Sequence, residues 1–273
     1  MLAIAAHDPL GGAGLAADLT TFAALRVHGT VAVTAVTAQH LDRVDRVEPM
    51  DAALVADQID AIVDSFPIAA VKTGLLGSAQ IVDLVADRVE SGALPAPVVD
   101  PVLVDGRGNR FVGSDIERAY RERLFPAAAV LTPNLGEVSA LLGEAVDEIS
   151  AVEAHAGALG ALGADVVVVT GGADEREHAV DVIVAADGRV EQVLTPWVPT
   201  RHVRGSGCTF AAATTAGVAA GRDVRDAIHG AKAFVTDRLR ASVWDGLERS
   251  GPVAHWFGGD AGSTQSTWFH SSP

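Results

Sequence analysis

Short apolar runs alternate with longer segments of helical periodicity along most of this chain. Residues 1–6, 31–36 and 166–170 are apolar runs of strand length, whereas residues 15–25 and 51–65 carry apolar residues at helical spacing. Strands that alternate with helices pair into a parallel sheet through right-handed crossovers. The sequence therefore predicts an α/β fold, a mainly parallel central sheet flanked by helices on both faces. Further strands are predicted at residues 69–72, 98–100 and 129–131, and further helices at residues 78–91, 137–142 and 224–243.

An antiparallel edge hairpin is predicted late in the chain. Residues 179–185 and 189–195 flank Asp187-Gly188, and an Asp-Gly pair between two such runs is typical of a tight β-hairpin. We expect this hairpin to lie at an edge of the sheet. The charged residues 42–50 are interpreted instead as a surface excursion.

Length and composition favour one domain. The chain has 273 residues, of which 49% are apolar and 20% charged, so it can bury a large single core. We expect residues 1–257 to form this domain. Residues 258–273 are rich in Gly, Ser and Thr and are expected to be a disordered tail.

The charge balance restricts the partners. A formal net charge of −15 argues against nucleic acid or an anionic membrane as the main partner, because neither would meet a broad basic face. An anionic ligand must then be held locally, by backbone amides, a few cations or a metal. One cysteine excludes an internal disulfide and is consistent with a reducing compartment, and no segment has about 20 uninterrupted apolar residues. The expected location is cytoplasmic.

The segment Gly205-Ser206-Gly207-Cys208 lies between a proline-punctuated loop and an Ala-rich run that reaches Gly221 as a helix. Unpaired amides at a helix N-terminus form an anion site, and the glycines let the backbone close around a phosphoryl oxygen. Cys208 would stand on the first turn, where the helix dipole lowers a thiol pKa. The alternative is a glycine-rich turn beside a buried cysteine.

A second glycine loop, residues 7–14, joins the first strand to the first helix. It matches neither a dinucleotide-binding fingerprint nor a P-loop, so ATP would need another phosphate cradle. Asp18, one helical turn later, could face the loop, or it could be an ordinary acidic residue of a first turn. Gln39 ends a predicted strand, where open α/β sheets bind ligands and where an amide can recognise a heteroaromatic ring edge.

Two carboxylates follow predicted neighbouring strands. Asp100 ends one strand, and Glu137 begins the helix after the next. Such a pair can hold Mg²⁺ through water while a nucleotide supplies the other ligands, although each residue alone could be a helix cap or a surface group. Lys72, one of two lysines in the chain, is assigned no function at this stage.

Taken together, these segments resemble the hydroxymethylpyrimidine/phosphomethylpyrimidine kinases of thiamine biosynthesis, which are ribokinase-like enzymes. The resemblance covers residues 2–257 and is specific because separated motifs occur in the right order. These motifs are Asp8-Pro9-x-Gly11-Gly12-Ala13-Gly14, Ala17-Asp18-Leu19, Thr37-Ala38-Gln39, Val71-Lys72-Thr73-Gly74, Val99-Asp100-Pro101-Val102, Leu131-Thr132-Pro133-Asn134 and Gly205-Ser206-Gly207-Cys208-Thr209.

The resemblance implies a ribokinase-like fold and transfer of the ATP γ-phosphate, with Mg²⁺, to the pyrimidine hydroxymethyl group and then to its monophosphate. It assigns the pyrimidine site to Asp18, Gln39, Gly11, Leu75 and Val102. It assigns catalysis to the anion hole Gly205, Ser206 and Gly207 and to Cys208 as the base, and the metal to Asp100 and Glu137. It assigns the nucleotide to Asn134, Thr170, Gly172, Arg107 and Lys232, and implies a homodimer.

Some positions depart from the family pattern. Ala6-His7 replaces Gly-Ser, Gly106-Arg107 replaces a loop lysine, and Thr170 replaces the lysine of a Lys-Gly-Gly motif. Arg107 is the candidate replacement for one missing cation. Two alternatives stay open: a pyridoxal or pyridoxine kinase of the same fold, and a non-catalytic pyrimidine-binding protein with a decayed phosphate site. The carboxylate of Asp18 and the amide of Gln39 favour the aminopyrimidine.

Overall fold

The computed structural model describes residues 1–104, 110–174, 177–242, 244, 247 and 249–255. Arg107 and the tail at residues 258–273 lie outside these residues, so the predictions for them stay predictions. Within the described residues, nine strands form one sheet. They are β1 (Leu2–His7), β2 (Thr30–Gln39), β3 (Val44–Pro49), β4 (Val71–Thr73), β5 (Val98–Val99), β6 (Val130–Leu131), β7 (Val166–Asp174), β8 (His178–Ala185) and β9 (Val190–Pro196).

Helices connect most of these strands. The α-helices are α1 (Gly14–Ala24), α2 (Ala52–Ser65), α3 (Ala79–Glu90), α4 (Ser114–Ala119), α5 (Leu135–Leu142), α6 (Ala156–Gly160), α7 (Ser206–Ala219) and α8 (Val224–Arg240). A π-helical turn, Tyr120–Leu124, and two 3₁₀ segments, Phe125–Ala127 and Ile149–His155, complete the helical structure of the described residues. The side chains of Asp51 and Ser78 accept backbone N–H groups at the starts of α2 and α3, so these two helices begin where polar capping residues end the preceding loops.

The strand order is β3-β2-β1-β4-β5-β6-β7-β8-β9. Strands β2, β1, β4, β5, β6 and β7 run parallel, whereas β3 at one edge and the hairpin β8–β9 at the other are antiparallel. The predicted α/β class, parallel centre and edge hairpin are thereby confirmed.

The interpretation of residues 42–50 as a surface excursion is wrong, because Val44–Pro49 is the edge strand β3. Its register with β2 places Val47 opposite Thr37 and Val44 opposite Gln39. The strand is half-buried at its two valines and exposed at Asp45, Arg46 and Glu48. Charges on an edge strand discourage pairing with another chain, and here they masked the strand pattern in the sequence.

The central sheet is buried on both faces. In β1, Leu2 and Ile4 belong to a core shared with α2 and α3, whereas Ala3 and Ala5 belong to a second core that includes Phe22 of α1 and residues of α7 and α8. A strand covered on both faces has apolar residues at every position, which accounts for the unbroken apolar start of the chain. None of the helices in the described residues is long and apolar enough to cross a membrane.

Gly172 provides a test of the packing at β7. A Cβ built on this residue would lie 2.5 Å from Ile149 Cγ1 and 2.8 Å from the Val180 carbonyl oxygen, both too close. We therefore expect Gly172→Ala to lower the free energy of unfolding by about 1–3 kcal/mol. Chemical denaturation monitored by circular dichroism measures this change.

The matched control is Gly157→Ala in α6, where a Cβ meets nothing within 4 Å. Alanine is the better helix former by about 1 kcal/mol, so this variant should be as stable as the wild type or more stable. Equal stability of Gly172→Ala and the wild type would contradict the packing described for β7.

Candidate active site

The carboxyl ends of the parallel strands converge at one edge of the sheet. Backbone bonds tie them in sequence: Gly74 N donates to Ile4 O at 3.0 Å, Asp100 N to Thr73 O at 3.0 Å, and Thr132 N to Val99 O at 2.9 Å. Ligands of open α/β sheets bind outside this edge. The predicted site residues that follow β4, β5 and β6 therefore lie at one end of the fold.

The N-terminus of α7 faces the loop between β1 and α1. Gly205, the residue before α7, has φ +78°, and a Cβ there would overlap the Gly12 carbonyl oxygen, so only glycine fits. No side chain of the described residues caps α7, which leaves the amides of its first turn, at Gly207 and Cys208, without intrahelical partners. This geometry suits an anion and places the predicted anion hole beside the first glycine loop.

Lys72 connects the acidic residues of the site. Its Nζ lies 3.0 Å from Asp18 Oδ2 and 3.8 Å from Asp100 Oδ2, and both the lysine and the Asp18 side chain are entirely buried. Burial alone would lower the pKa of Lys72, but the negative groups around it, Asp18 foremost, raise the pKa above its ordinary value. Lys72 is therefore charged. Sequence reasoning missed it, because a lysine inside an apolar strand shows no partner until the sheet brings α1 and β5 to it.

Asp18 is buried more deeply than the sequence predicted for a direct ligand of a pyrimidine. Its Oδ2 is paired with Lys72, and its Oδ1 has no hydrogen-bond partner among the described residues. Burial raises the pKa of Asp18 to about 6, an effect that Lys72 opposes. A ligand reaches this unpartnered oxygen only if the surrounding residues move.

Cys208 lies against Asp100 at the start of α7. The side chain is half-buried, and the charges of Asp100 and Lys72 and the backbone of Gly14 all act on the thiol. Burial raises the pKa of Cys208 well above its ordinary value, and the charge on Asp100 raises it further. The prediction that the helix dipole lowers this pKa is wrong for this structure, because desolvation and a neighbouring carboxylate outweigh one helix terminus.

Glu137 closes a capping box at the start of α5. Its Oε2 accepts the Asn134 N–H and its Oε1 the Leu103 N–H, both at 3.0 Å, while Asn134 Oδ1 accepts the Glu137 N–H at 3.0 Å. Burial raises the pKa of Glu137 to about 8, and the charge on Asp100 contributes to the increase. As predicted, Asp100 and Glu137 follow neighbouring strands, because β5 and β6 pair in parallel.

These two carboxylates fit Mg²⁺ only in part. The described residues contain no group of three or more His, Cys, Asp or Glu side chains that could hold a metal. Both oxygens of Glu137 already accept backbone N–H groups, whereas Asp100 keeps acceptor capacity. The charge on Asp100 raises the pKa of Glu137, a repulsion that a shared cation would relieve, and Mg²⁺ usually keeps several waters and takes one or two carboxylates. The residues therefore fit a hydrated Mg²⁺ completed by phosphate oxygens.

Three predicted pocket residues lie at or beyond the ends of parallel strands: Gln39 ends β2, Leu75 follows β4 and Val102 follows β5. Gln39 ends β2 with a half-buried side chain, and Leu75 is buried after β4, where its carbonyl accepts the Thr34 hydroxyl at 2.6 Å. Val102 has φ +43°, a left-handed conformation that costs a β-branched residue energy and is typical of functional sites. Gly11 closes the first glycine loop with φ +68°, and its N–H donates to Asp8 O at 3.0 Å.

The structure places the predicted nucleotide residues in two groups, Asn134 with Thr170 and Lys232 with Asp181. Thr170 forms a parallel bridge with Asn134, and its N–H donates to Pro133 O at 2.9 Å, so Asn134, beyond the end of β6, lies beside Thr170 within β7. Lys232 Nζ is 2.9 Å from Asp181 Oδ1, which also accepts the Gly171 N–H at 3.2 Å. The charge of Lys232 is thereby matched, and the lysine connects α8 to the end of β7.

Comparison with known proteins agrees with this geometry. The family model described as phosphomethylpyrimidine kinase matches residues 8–254. This chain belongs to the phosphomethylpyrimidine kinase family. It is 39% identical over 258 residues to the hydroxymethylpyrimidine/phosphomethylpyrimidine kinase of Synechococcus elongatus, a match that spans 94% of this chain and 97% of that protein.

Solved structures of relatives share the fold. The pyridoxal kinase of Bacillus subtilis in an ADP complex superposes with a TM-score of 0.84 at 36% identity, covering 93% of this chain and 96% of that chain. The phosphomethylpyrimidine kinase of Clostridium difficile superposes with a TM-score of 0.74 at 28% identity, covering 86% and 97%. The phosphomethylpyrimidine kinase family thus has the ribokinase-like fold predicted here, and this chain is a small-molecule kinase.

Glu137 predicts a pH dependence of stability. A carboxyl whose pKa rises from 4.5 to about 8 on folding stabilises the folded state below pH 4.5, and this contribution is lost as the pH rises through 8. Each pKa unit corresponds to about 1.4 kcal/mol. We therefore expect Glu137→Gln to show a shallower loss of stability between pH 5 and pH 9 than the wild type, in urea denaturation without divalent metal.

The exposed residue Glu122 supplies the control, since Glu122→Gln should keep the wild-type slope. Glutamine cannot accept both backbone N–H groups, so Glu137→Gln also loses stability at every pH, and only the slope is diagnostic. Parallel curves for Glu137→Gln and the wild type would show that Glu137 is ionised in the folded protein at neutral pH.

Proposed function

We propose that this protein transfers the γ-phosphoryl group of ATP to the hydroxymethyl group of 4-amino-5-hydroxymethyl-2-methylpyrimidine, and then to the resulting monophosphate. The observation that carries the proposal is the uncapped N-terminus of α7, which presents backbone amides and Cys208 next to Asp100. The relative from Synechococcus elongatus is named for both phosphorylations, and the relative from Bacillus subtilis binds ADP.

At the predicted anion hole of Gly205, Ser206 and Gly207, the unpartnered amides of Gly207 and Cys208 would stabilise negative charge that develops on the transferred phosphoryl group. The Ser206 N–H already donates to Val203 O at 3.1 Å. Preorganised donors of this type act only on the transition state and cost no reorganisation during the reaction. This role matters here because the chain is acidic and both of its lysines are buried in ion pairs. Backbone dipoles then supply the positive potential that these side chains do not.

Cys208 would accept the proton of the substrate hydroxyl as that oxygen attacks phosphorus. In the structure burial keeps the thiol protonated, so its own proton must leave first. The thiol proton would pass to water, and the hydroxyl proton would then pass to the sulfur. Burial also raises the pKa of Asp100, and Lys72, whose Nζ lies 3.8 Å from Asp100 Oδ2, opposes this increase.

Asp100, with Glu137 acting through water, would hold Mg²⁺. Bound there, the ion would neutralise charge on the phosphate oxygens of ATP. Asn134, which caps α5 through its side chain, would direct its remaining donors toward the phosphates. Arg107 is the proposed additional cation, and Thr170 and Gly172 would border the nucleotide.

Gln39 would bind the ring edge of the pyrimidine, with Leu75, Val102 and Gly11 against its faces. The unpartnered Oδ1 of Asp18 is an acceptor for the 4-amino group once the surrounding residues move. A buried acceptor without a partner is costly, and a ligand donor would remove this cost. We also infer a cytoplasmic homodimer; the resemblance to the family supports the dimer, and the single cysteine the location.

Pyridoxal is the second candidate substrate. The observation in its favour is the higher TM-score of the Bacillus subtilis pyridoxal kinase, 0.84, than that of the Clostridium difficile phosphomethylpyrimidine kinase, 0.74. Both rings offer a hydroxymethyl group for phosphorylation. The 4-amino group, which pyridoxal lacks, is the donor that the buried carboxylate of Asp18 would select.

A coupled ADP-release assay tests the substrate. With Mg-ATP, we expect turnover of the hydroxymethylpyrimidine and of its monophosphate, a lower kcat/KM for pyridoxal, and no turnover in excess EDTA. A higher kcat/KM for pyridoxal would replace the proposed substrate by the second candidate. Full activity in EDTA would remove the metal from the proposal.

Cys208 provides the test of mechanism. Because general-base assistance contributes about 10² to 10⁴-fold, Cys208→Ala should lower kcat at least about a hundredfold, with little change in the KM for ATP. Cys208→Asp should recover part of the loss, since a carboxylate is also a proton acceptor. If Cys208→Ala kept the wild-type kcat, the thiol would only line the pocket.

A further inference from the structure

Residues 251–255, which we call the C-terminal strap, pack against the residue that precedes the anion-binding loop. Arg204 N donates to Gly251 O at 3.2 Å, and Val253 N donates to Arg204 O at 2.9 Å. The strap is itself anchored, because Trp244 Nε1 donates to Pro252 O at 2.8 Å and Ala254 N to Ser242 Oγ at 2.9 Å. These bonds hold the strap at a fixed position relative to Gly205.

His255, the last residue of the strap, reaches into the start of α7. The ring is buried, and its Nδ1 lies 2.9 Å from the hydroxyl of Thr209. That hydroxyl donates its single proton to the Gly205 carbonyl at 2.7 Å. With that proton directed to Gly205, the tautomer of His255 that is protonated at Nδ1 completes a chain of hydrogen bonds from His255 through Thr209 to Gly205.

The strap also contacts the other glycine loop. A Cβ on Gly12 would lie 2.9 Å from Pro252 Cβ, and a Cβ on Gly205 would lie 3.3 Å from His255 Cε1. Asp8 of the first loop pairs with Arg204 at 3.2 Å. The strap therefore packs against both loops where they meet. The Gly205 carbonyl accepts the N–H and the hydroxyl of Thr209, at 2.8 and 2.7 Å, and His255 contacts this hydroxyl.

We propose that His255 is a positioning residue for phosphoryl transfer, which holds the Gly205 carbonyl through Thr209 and so aims the amides of the anion hole. The proposal rests on the proposed function, because an anion hole matters only if an anion binds. An amide that is displaced by about 1 Å stabilises a transition state much less, at a cost of up to about a hundredfold in rate. His255 would act through Thr209 and not by contact with a substrate.

Steady-state kinetics of three variants test the proposal. We expect His255→Leu, which keeps the volume but removes the donor, to lower kcat about ten- to a hundredfold, with the KM for Mg-ATP changed less than threefold. Thr209→Val, which is isosteric, should do the same. His255→Asn should recover most of the kcat, since its amide can replace Nδ1 as the donor to Thr209.

The double variant His255→Leu/Thr209→Val shows whether the two residues act through one chain. We expect its kcat to equal that of the slower single variant, because each substitution already breaks the same connection. Multiplied effects of the two substitutions, or a kcat of His255→Leu within twofold of the wild type, would overturn the proposal. Should His255→Leu fail to fold, Thr209→Val with Thr209→Ser as its rescue decides in the same way.

A control separates positioning from general destabilisation. His155, whose Nδ1 lies 2.8 Å from the Ala151 carbonyl far from α7, is replaced by leucine. We expect a lower Tm but an unchanged kcat for this variant. Equal losses of kcat in His155→Leu and His255→Leu would make the role of His255 purely structural and would overturn the proposal.

Hydrogen–deuterium exchange measures the loop without any substrate. We expect faster exchange of the amides at residues 205–208 in His255→Leu, and near wild-type exchange in His255→Asn and His155→Leu. This measurement tests the positioning role even if the wild type phosphorylates none of the substrates. Such a lack of activity would remove the proposed function but not this test. Unchanged exchange in His255→Leu would overturn the positioning role whatever the activity.

Discussion

The buried ammonium group of Lys72 is the interaction on which the candidate site depends. It neutralises Asp18 from α1 and Asp100 after β5, two carboxylates that the fold brings into the same desolvated region. Removing one partner of such a network leaves an uncompensated buried charge, typically at a cost of about 3–5 kcal/mol. Because the charges of Asp100 and Lys72 both act on Cys208, the lysine influences the group proposed to move a proton.

Electrostatics explains why a strongly acidic protein can bind an anion. Both lysines of the chain are committed to buried carboxylates, Lys72 to Asp18 and Lys232 to Asp181. The positive potential at the site then comes from the amides of α7, whose N-terminus has no side-chain cap. A hydrated Mg²⁺ at Asp100 would add positive charge in the same region, since a divalent ion can neutralise carboxylates and phosphates together.

Close packing of the two glycine loops sets the geometry of the candidate site. Gly205 approaches the Gly12 carbonyl so closely that no side chain fits, and Gly14 is packed in the same way against Ala6 O. Loops that meet through backbone alone have few side chains to hold them, so the surrounding structure must fix their positions. Arg204 with Asp8, and His255 with Thr209, are the contacts that do so.

The sequence by itself determined the α/β class, the parallel centre, the edge hairpin and the helix that begins after Gly205, because these features follow from local periodicity, turn residues and glycine spacing. Separated motifs such as Thr37-Ala38-Gln39 and Gly205-Ser206-Gly207-Cys208 were enough to identify the family. Only the tertiary structure decided which groups are buried together. Lys72 gained its partners, Asp18 lost its exposure, and Cys208 acquired a raised pKa through interactions between residues that are distant in the chain, such as Lys72 and Asp18. Periodicity contains no information on such contacts, and desolvation, which sets these pKa values, exists only once the core is packed.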